Sequence, residues 1–418
     1  MLKRVQVIDG TGAEPRGPVE ITIRDGKIAQ IADMKRTRRQ APTPEPSRGG
    51  RTLDLDGAYI LPGLMDTHVH LTSSGLKSMA DMLRESTPAL LALHALEEAR
   101  RTLLGGFTTV RDAMADFGVA IDLARAIAEG WVTGPEIFAA GHGLSITGGH
   151  GDPQNGYPEE AAQVYAPGVV DSPNEARKAA RREIRRGASA IKLFATGGVL
   201  SFGDDPRSRG LTEDEMRAAV EEAHNVGIPV LAHAQGTEGI KNAIRAGVDS
   251  IDHGVYLDDE AADMMVERGV TLVPTLAAVA QIVQNPGHPS IPPWALEKAR
   301  SAYDRHLEAV RIALRHGVTF ALGTDAGTPL NRHGENGQEL ALMVEAGLTP
   351  MQAIQAATAN AARLLKSNAG VIAEGRPADL VVTRDHPLVD IGALADARRI
   401  DIVIRHGQIV REGRRIRI

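Results

Sequence analysis

Two histidines separated by a single residue, His68 and His70, end an apolar run that begins at Tyr59. On a β-strand, residues i and i+2 point to the same face, so both imidazoles would project to one side and could bind one metal ion. The alternative is a pair of hydrogen-bonded histidines on a half-buried strand. Further groups that could bind a metal or a proton lie near the ends of other apolar runs: Lys192, His233, His253 and Asp325.

Lys192 lies between Ile191 and Leu193 in a strand-like run, where a buried ammonium would be costly. Burial lowers the pKa of a lysine, and a neutral amine can add CO2 to form a carbamate. Such a carbamate is an anionic ligand able to bridge two metal ions about 3.5–4 Å apart. The alternative is an ion-paired lysine, or one whose ammonium reaches solvent.

Asp325 follows the run Ala321-Leu322-Gly323-Thr324 and opens a glycine-containing turn. A carboxylate at this position could bind a metal ion and accept a proton from the water that the metal activates, then pass it to a leaving amine. The alternative role is a helix N-cap. We therefore predict that Asp325 and Lys192 are catalytic.

The elements between residues 63 and 365 indicate how these groups could meet. Apolar strands alternate there with amphipathic helices, which is typical of a parallel sheet. Eight strands predict an α/β fold, a (β/α)8 barrel with its active site where the carboxyl ends of the strands converge. An open doubly wound sheet is the alternative, but no Gly-x-Gly-x-x-Gly follows the first strand. The predicted strands are 64–70, 107–112, 136–141, 189–194, 228–233, 248–253, 270–275 and 319–325.

Both ends of the chain have short strand patterns with turn signals. Residues 19–23 alternate between apolar and polar types and precede a hairpin turn at 24–27. Strands are also predicted at 378–382, 400–404 and 408–410, and a basic, proline-rich loop at 35–50. We predict a small β-sandwich domain built from residues 1–62 and 366–418, beside the barrel domain of residues 63–365.

The composition excludes several classes of function. The chain has 418 residues, a net charge of −6 and 3% aromatic residues, so neither a nucleic-acid surface nor an anionic-membrane surface is expected. It has no cysteine, which excludes disulfides, thiolate nucleophiles and cysteine–zinc sites. The sequence has neither a secretory leader pattern nor an apolar stretch approaching about 20 residues, so a cytoplasmic location without a membrane partner is expected.

Several motifs together resemble a known family. His68-Val69-His70, Lys192, His233, His253 and Gly323-Thr324-Asp325 are similar to the binuclear metal branch of the amidohydrolase superfamily. The stretches 147–152, 191–199 and 377–382 resemble its Xaa-Pro dipeptidase-like, or imidazolonepropionase-like, group, which includes ochratoxin amidases. The resemblance implies a distorted TIM barrel, two divalent metal ions (zinc above all), a carboxylated Lys192 and hydrolysis of an amide bond.

The resemblance also implies roles for single residues. His68, His70 and Asp325 would bind one metal ion, His233 and His253 the other, and Lys192 would bridge them. In relatives, a histidine after the third strand helps to bind the substrate carboxylate, and either His142 or His150 matches it. Several relatives have a tyrosine two residues after the histidine of the fifth strand, where this chain has Gln235, which could also donate a hydrogen bond to a substrate carbonyl.

These inferences predict an enzyme that cleaves the amide of a dipeptide or an N-acyl amino acid, such as an Xaa-Pro-like dipeptide or an ochratoxin-type amide. One alternative is a mononuclear deaminase or cyclic-imidazolone hydrolase of the same superfamily, although such an enzyme would not need a bridging carbamate at Lys192. Another is a non-catalytic scaffold, although no ligand is missing. The expected partners are a small amide substrate and further copies of the chain in a homo-oligomer.

Overall fold

The structure, a computed structural model, describes residues 1–34, 50–76, 85–155 and 166–418. The basic, proline-rich loop expected at 35–50 lies outside these residues except for Gly50. The described strands are β1 (Leu2–Val7), β2 (Arg16–Arg24), β3 (Lys27–Asp33), β4 (Leu53–Asp54), β5 (Tyr59–Pro62), β6 (Leu64–Val69), β7 (Phe107–Asp112), β8 (Glu136–Ala139), β9 (Ile191–Phe194), β10 (Val230–Ala234), β11 (Ser250–His253), β12 (Thr271–Val273), β13 (Leu380–Thr383), β14 (Ile400–Arg405), β15 (Gln408–Glu412) and β16 (Arg415–Ile416).

The described α-helices follow the amphipathic stretches of the sequence. The side chains of Ser172 and Thr212 cap the helices that follow them by accepting backbone N–H groups of the first turn. Gly187, Gly247 and Gly317 end the helices that precede them, each in the left-handed conformation. None of the described helices combines the length and apolar character needed to cross a membrane. The helices are α1 (Pro88–Leu104), α2 (Val119–Ala128), α3 (Pro173–Arg186), α4 (Glu213–Asn225), α5 (Thr237–Ala246), α6 (Asp259–Arg268), α7 (Leu276–Gln284), α8 (Pro293–His316), α9 (Gln338–Glu345), α10 (Pro350–Gln355), α11 (Ala361–Leu365) and α12 (Gly392–Ala395).

The two ends of the chain meet in one nine-stranded sheet, with the order β16-β15-β14-β13-β5-β1-β2-β3 and β4 paired to β1. Strand β5 joins the ends, because it pairs in parallel with β1 and antiparallel with β13, where Val382 lies opposite Ile60. Apolar side chains from both ends form a common buried cluster. The two ends of the chain, for which the sequence predicts a β-sandwich, thus form one continuous hydrogen-bonded sheet with a shared core.

The middle of the chain contains two parallel sheets, β6-β7-β8 and β12-β11-β10-β9. Every residue of β6, β7, β9, β10, β11 and β12 is buried, as expected for parallel strands covered on both faces. In the second sheet, β10 lies between β9 and β11, with Leu231 opposite Lys192 on one side and Ala234 opposite His253 on the other. The two sheets meet where the N–H of Ser189 donates to the carbonyl of Ala139.

The predicted strand 319–325 is wrong as a regular strand, since residues 319–326 form only isolated bridges to β12 and to β6. The N–H of Leu272 donates to Thr319, the N–H of Thr67 donates to Leu322, and the N–H of Asp325 donates to His68. Asp325 itself has a φ of 61°, outside the range of a strand, so a regular strand could not continue through it. These hydrogen bonds nevertheless hold Asp325 beside the end of β6.

Candidate metal centre

All six groups predicted to bind metal are buried and lie at or near the ends of parallel strands. His70 follows β6 directly, His253 is the last residue of β11, and Asp325 lies beside the end of β6. Because parallel strands present their carboxyl ends to the same side, side chains far apart in sequence meet there. The exposed fractions are 1% for His68, 7% for His70, 1% for Lys192, 2% for His233, 6% for His253 and 8% for Asp325.

The imidazoles and the carboxylate are in close contact. The Oδ1 atom of Asp325 lies 3.1 Å from Nε2 of His70 and 3.5 Å from Nε2 of His68. The ring of His253 is centred 5.1 Å from that of His68 and 4.5 Å from that of His233. The structure therefore gathers the four histidines and Asp325 in one cluster.

One subset of this cluster has the separation required to hold a metal ion. His68, His253 and Asp325 each offer a ligand atom, and these atoms lie within 4.8 Å of one another. Histidine nitrogen and carboxylate oxygen are ordinary ligands of divalent transition metals, including zinc. The resemblance described above assigns His68 and Asp325 to one metal ion and His253 to the other, whereas this trio contains all three residues.

Two of the histidines have one ring nitrogen fixed by a neighbouring side chain. Nδ1–H of His68 donates to the buried carboxylate of Asp252 at 2.7 Å. Nδ1 of His253 lies 2.7 Å from Oγ1 of Thr275, whose hydroxyl donates to the carbonyl of Pro274. Thr275 must therefore accept from His253, which leaves Nε2 of both imidazoles without a proton and available to a metal ion.

The other two histidines are oriented by backbone carbonyls. Nδ1 of His70 lies 3.3 Å from the carbonyl of Met114, and Nε2 of His233 lies 2.9 Å from the carbonyl of Gly197. A carbonyl only accepts, so each of these nitrogens is a donor. His233 would consequently bind a metal ion through Nδ1, and the other three histidines through Nε2. The sequence gives no sign of this difference.

Backbone strain accompanies the site. His253, Thr275 and Asp325 have φ values of 75°, 53° and 61°, which are uncommon for residues other than glycine. The buried ring of His306 donates from Nε2 to the carbonyl of His253 at 2.9 Å and so supports this conformation. Unfavourable conformations of this kind persist where the surrounding structure fixes them, and they concentrate at functional sites.

Lys192 is buried without a counter-ion among the described residues. Its Nζ lies 5.2 Å from the ring centre of Phe194, and no described carboxylate lies within ion-pair distance. Burial lowers the pKa of Lys192 to about 8, although Asp252 and Asp325 act in the opposite direction. The ion-paired or solvent-reaching lysine considered from the sequence is therefore not what the structure contains.

Burial and charge act against each other on the remaining groups. Burial holds the pKa values of His68, His233 and His253 well below the usual range, which keeps these imidazoles neutral. At His70, burial also lowers the pKa, but the hydrogen bond and charge of Asp325 outweigh it and raise the pKa. For Asp325, burial favours the neutral acid, but its interactions with His68, His70 and Lys192 outweigh burial and lower its pKa. Asp325 is consequently an anion, in the same cluster as the three neutral imidazoles of His68, His233 and His253.

A buried arginine outside the predicted set supports the cluster. Nε of Arg111 donates to the carbonyl of Thr67 at 2.6 Å, and its Nη2 lies 3.3 Å from both carboxylate oxygens of Asp252. Asp252 thus connects Arg111 to His68. Reading the sequence did not identify Arg111, Asp252, Thr275 or His306, and the only available signal was the position of Asp252 beside His253.

A cavity of about 280 Å³ opens onto the cluster. His150 and Gln235, both predicted to bind substrate, line it. The ring of His150 stacks on that of His233 at a centroid distance of 4.3 Å, and its Nδ1 lies 2.6 Å from Oγ of Ser201. Gln235 is held by its N–H, which donates to Oγ1 of Thr196 at 3.0 Å.

His142 does not line this cavity. It is buried elsewhere, with Nδ1 3.2 Å from Oε1 of Glu183 and 3.0 Å from a guanidinium nitrogen of Arg186. Of the two histidines that the sequence left open for binding a substrate carboxylate, only His150 therefore reaches the cavity. The reason is the fold of the chain after β8, which turns His142 toward helix α3.

Most of the chain matches the model of one known protein family. Residues 59–410 match the model described as the amidohydrolase family. The chain belongs to the amidohydrolase family. It is therefore a hydrolase, and the members of this family generally use divalent metal ions, in keeping with the cluster of His68, His253 and Asp325.

Individual amidohydrolases are similar to this chain over most of its length. Ochratoxinase from Aspergillus niger is 33% identical over 378 residues, which cover 84% of this chain and 75% of that protein. The crystal structure of a Xaa-Pro dipeptidase with methionine bound in its active site is 36% identical, with a TM-score of 0.89 and 99% of both chains covered. The crystal structure of A. niger ochratoxinase has a TM-score of 0.85 at 29% identity, covering 100% of this chain and 98% of that one.

Proposed function

We propose that this amidohydrolase cleaves the amide bond of a dipeptide or an N-acyl amino acid, of the Xaa-Pro or ochratoxin type, with the help of bound metal ions. The observation that carries the proposal is the buried cluster of four imidazoles and Asp325, in which each imidazole has one ring nitrogen oriented by a hydrogen bond to the protein. The substrate class is taken from what the similar ochratoxinase and Xaa-Pro dipeptidase are named for.

We also propose the arrangement of domains that this chemistry requires. Residues 63–365 would form a closed (β/α)8 barrel, with residues 319–326 in the place of the eighth strand, and residues 1–62 and 366–418 would form the second domain. Backbone hydrogen bonds link β8 with residue 189, and they link residues 319–326 with both β12 and β6. These bonds support closure of the barrel. A closed barrel would explain why the site lies at the carboxyl ends of its strands.

The residues present fit a pair of divalent ions, which we propose to be zinc. His68, His70 and Asp325 would hold one ion, His233 and His253 the other, and a carbamate on Lys192 would bridge them. The neutral imidazoles of His68, His233 and His253 support this assignment, because a protonated ring cannot bind a metal ion. The bound ions would polarise the amide carbonyl and lower the pKa of water to near neutrality.

The chain's own residues would bind substrate and move protons. The Oδ atoms of Asp325 would take the proton of the attacking water and deliver it to the leaving nitrogen, which its anionic state at neutral pH allows. Gln235 is fixed through its backbone and could donate its side-chain amide to the substrate carbonyl. His150 would bind the substrate carboxylate through Nε2 in its protonated form, because its Nδ1 donates to Ser201, whose own hydroxyl donates to Asp204.

Lys192 separates the alternatives. A mononuclear deaminase or cyclic-imidazolone hydrolase would leave a buried lysine without a partner, which is costly. A bridging carbamate gives Lys192 a function, and a pKa lowered to about 8 makes the neutral amine accessible at mildly alkaline pH. A non-catalytic scaffold would have no reason to keep the strained backbone at His253 and Asp325.

The test is a hydrolysis screen of N-acyl amino acids and dipeptides, including Xaa-Pro dipeptides and an ochratoxin-type amide, with zinc supplied. We expect the wild type to cleave at least one compound, a chelator to abolish the activity, and Lys192→Ala to be inactive although folded. Equal inactivity of both proteins on the whole panel would contradict the proposal. We also propose a homo-oligomer, which light scattering after size-exclusion chromatography would test.

A further inference from the structure

We propose that Trp294 is a specificity-determining residue, whose indole forms a wall of the cavity and binds an aromatic or similarly large apolar group of the substrate. The proposal extends the proposed function, because it names the chemical class that the site selects. The binding itself, however, does not require that hydrolysis takes place, so the two can be tested separately.

The cavity has two chemically different parts. One contains the histidines, Lys192 and Asp325. The other is apolar and is contributed by the loop after β9 and by the helices α7 and α8. Its larger apolar side chains are Val199, Leu200, Val279, Ile282 and Trp294. A substrate with its amide at the ionisable part would therefore place one of its substituents against the apolar part.

Neighbouring residues limit the freedom of Trp294. It lies in the first turn of α8, directly after Pro292 and Pro293, which limit the backbone there. Nζ of Lys298, one turn further along, lies 5.5 Å from the ring centre of Trp294, and the ring of Phe202 meets the indole at 72° with centroids 5.9 Å apart. A ring fixed in advance loses little conformational freedom on binding and favours a flat apolar partner.

Lys298 itself is not available to a substrate anion. Its Nζ donates to the carbonyl of Ser201 at 2.8 Å, to the carbonyl of Gly198 at 3.1 Å and to Asp204 at 3.2 Å. Among the described residues that line the cavity, Lys192, which lies in the ionisable part, is the sole lysine or arginine. The apolar part therefore offers a bound group contact with carbon surfaces and no charge.

The size of the cavity limits the substrate. Its volume of about 280 Å³ lies just below the range of about 300–1,000 Å³ that is usual for small-molecule pockets. This volume suits an amide with one large substituent. A longer peptide would have to extend out of the cavity.

The chain has two tryptophans, which allows a binding test that is independent of hydrolysis. Trp131 is 72% exposed and does not line the cavity, so Trp131→Phe leaves Trp294 as the single tryptophan, whose emission can be excited selectively over that of the tyrosines. In an Asp325→Asn background, which blocks turnover, this protein would be titrated with N-acetyl-L-phenylalanine, N-benzoylglycine and N-acetylglycine. The first two compounds place the phenyl ring on opposite sides of the amide.

We expect a saturable change in Trp294 emission with at least one phenyl compound, at a concentration about tenfold or more below that required for N-acetylglycine. The matched variant Trp294→Phe, which retains Trp131, should show no change. An emission that does not respond to either phenyl compound, or responds equally to N-acetylglycine, would overturn the proposal whether or not the enzyme is active.

Kinetics give a second test on any substrate with a large apolar group that the enzyme cleaves. Trp294→Ala should raise KM about tenfold or more with a smaller effect on kcat, because the lost contact is present before and during the reaction. Trp294→Phe should restore most of the affinity, and Trp131→Ala should behave as the wild type. A KM for Trp294→Ala within twofold of the wild-type value would contradict the role of Trp294.

Discussion

Replacing Thr275 by valine would remove one hydroxyl from the proposed metal centre while preserving its shape. Thr275 is completely buried, and its Oγ1 accepts the proton of His253 Nδ1 at 2.7 Å. Valine has nearly the same volume and the same branching at Cβ, so the strained backbone at this position, with a φ of 53°, should be affected equally. The change therefore removes the hydrogen bond that orients the His253 imidazole, together with the hydroxyl's own bond to the carbonyl of Pro274.

The magnitude follows from the burial of the two partners. His253 is 6% exposed, so its N–H cannot turn to bulk water once the hydroxyl is lost. A buried donor left without an acceptor costs about 1–3 kcal/mol. Loss of a group that orients a metal-binding histidine typically weakens metal binding by about 10- to 100-fold. We therefore expect the zinc affinity of Thr275→Val to fall by about that factor.

The assay is a competition between the protein and a zinc chelator of known affinity, followed by activity measurements at saturating zinc. Thr358→Val is the matched control, because Thr358 is also completely buried and its hydroxyl donates to the carbonyl of Ile354, away from the cavity. The control should bind zinc as the wild type does. If Thr275→Val also kept its zinc affinity within twofold, His253 would not be a metal ligand oriented by Thr275.

Three further changes test other parts of the structure. Asp66 accepts four hydrogen bonds and donates none, so Asp66→Asn, which places a donor against donors, should lower the free energy of unfolding in urea by about 1–3 kcal/mol. A Cβ at Gly198 would lie 2.3 Å from the His150 ring, so Gly198→Ala should reduce kcat/KM at least tenfold in the wild type, but have little additional effect in a His150→Ala background. Hydrogen bonds to Asp263 and a second carboxylate raise the pKa of His316, so this histidine stabilises the fold fully below about pH 6.5 and loses the effect as pH rises through its raised pKa. The difference in Tm between the wild type and His316→Gln should accordingly be larger at pH 5.5 than at pH 9, and an equal difference at both values would contradict this reasoning.

The sequence singled out side chains that the structure brings into one buried cluster, because each is tied to a local pattern. His68 and His70 follow an apolar strand at a spacing of two, and Lys192 interrupts a strand with a charge that needs an explanation. Helices α3 and α8 likewise occupy amphipathic stretches of the sequence and begin at prolines, Pro173 and Pro293. Here periodicity and capping residues act within a few positions of one another, so no knowledge of distant contacts was needed.

What the sequence did not predict depends on contacts across the fold. Strand β12 ends at Val273 and not at 275, since Pro274 has no N–H to donate and Thr275 adopts a positive φ to reach His253. Likewise, His142 and His150 were equivalent by position in the chain. Only the packing of His142 against Glu183, which lies 41 residues away in the sequence, removes it from the cavity.

The central claim is that Lys192 and the four histidines hold two metal ions. A crystal structure of the zinc-supplemented protein, with anomalous data collected at the zinc absorption edge, tests it most directly. We predict two anomalous peaks about 3.5–4 Å apart, with a carbamate on the Lys192 Nζ between them. One peak, or none, beside an unmodified Lys192 amine would contradict the claim.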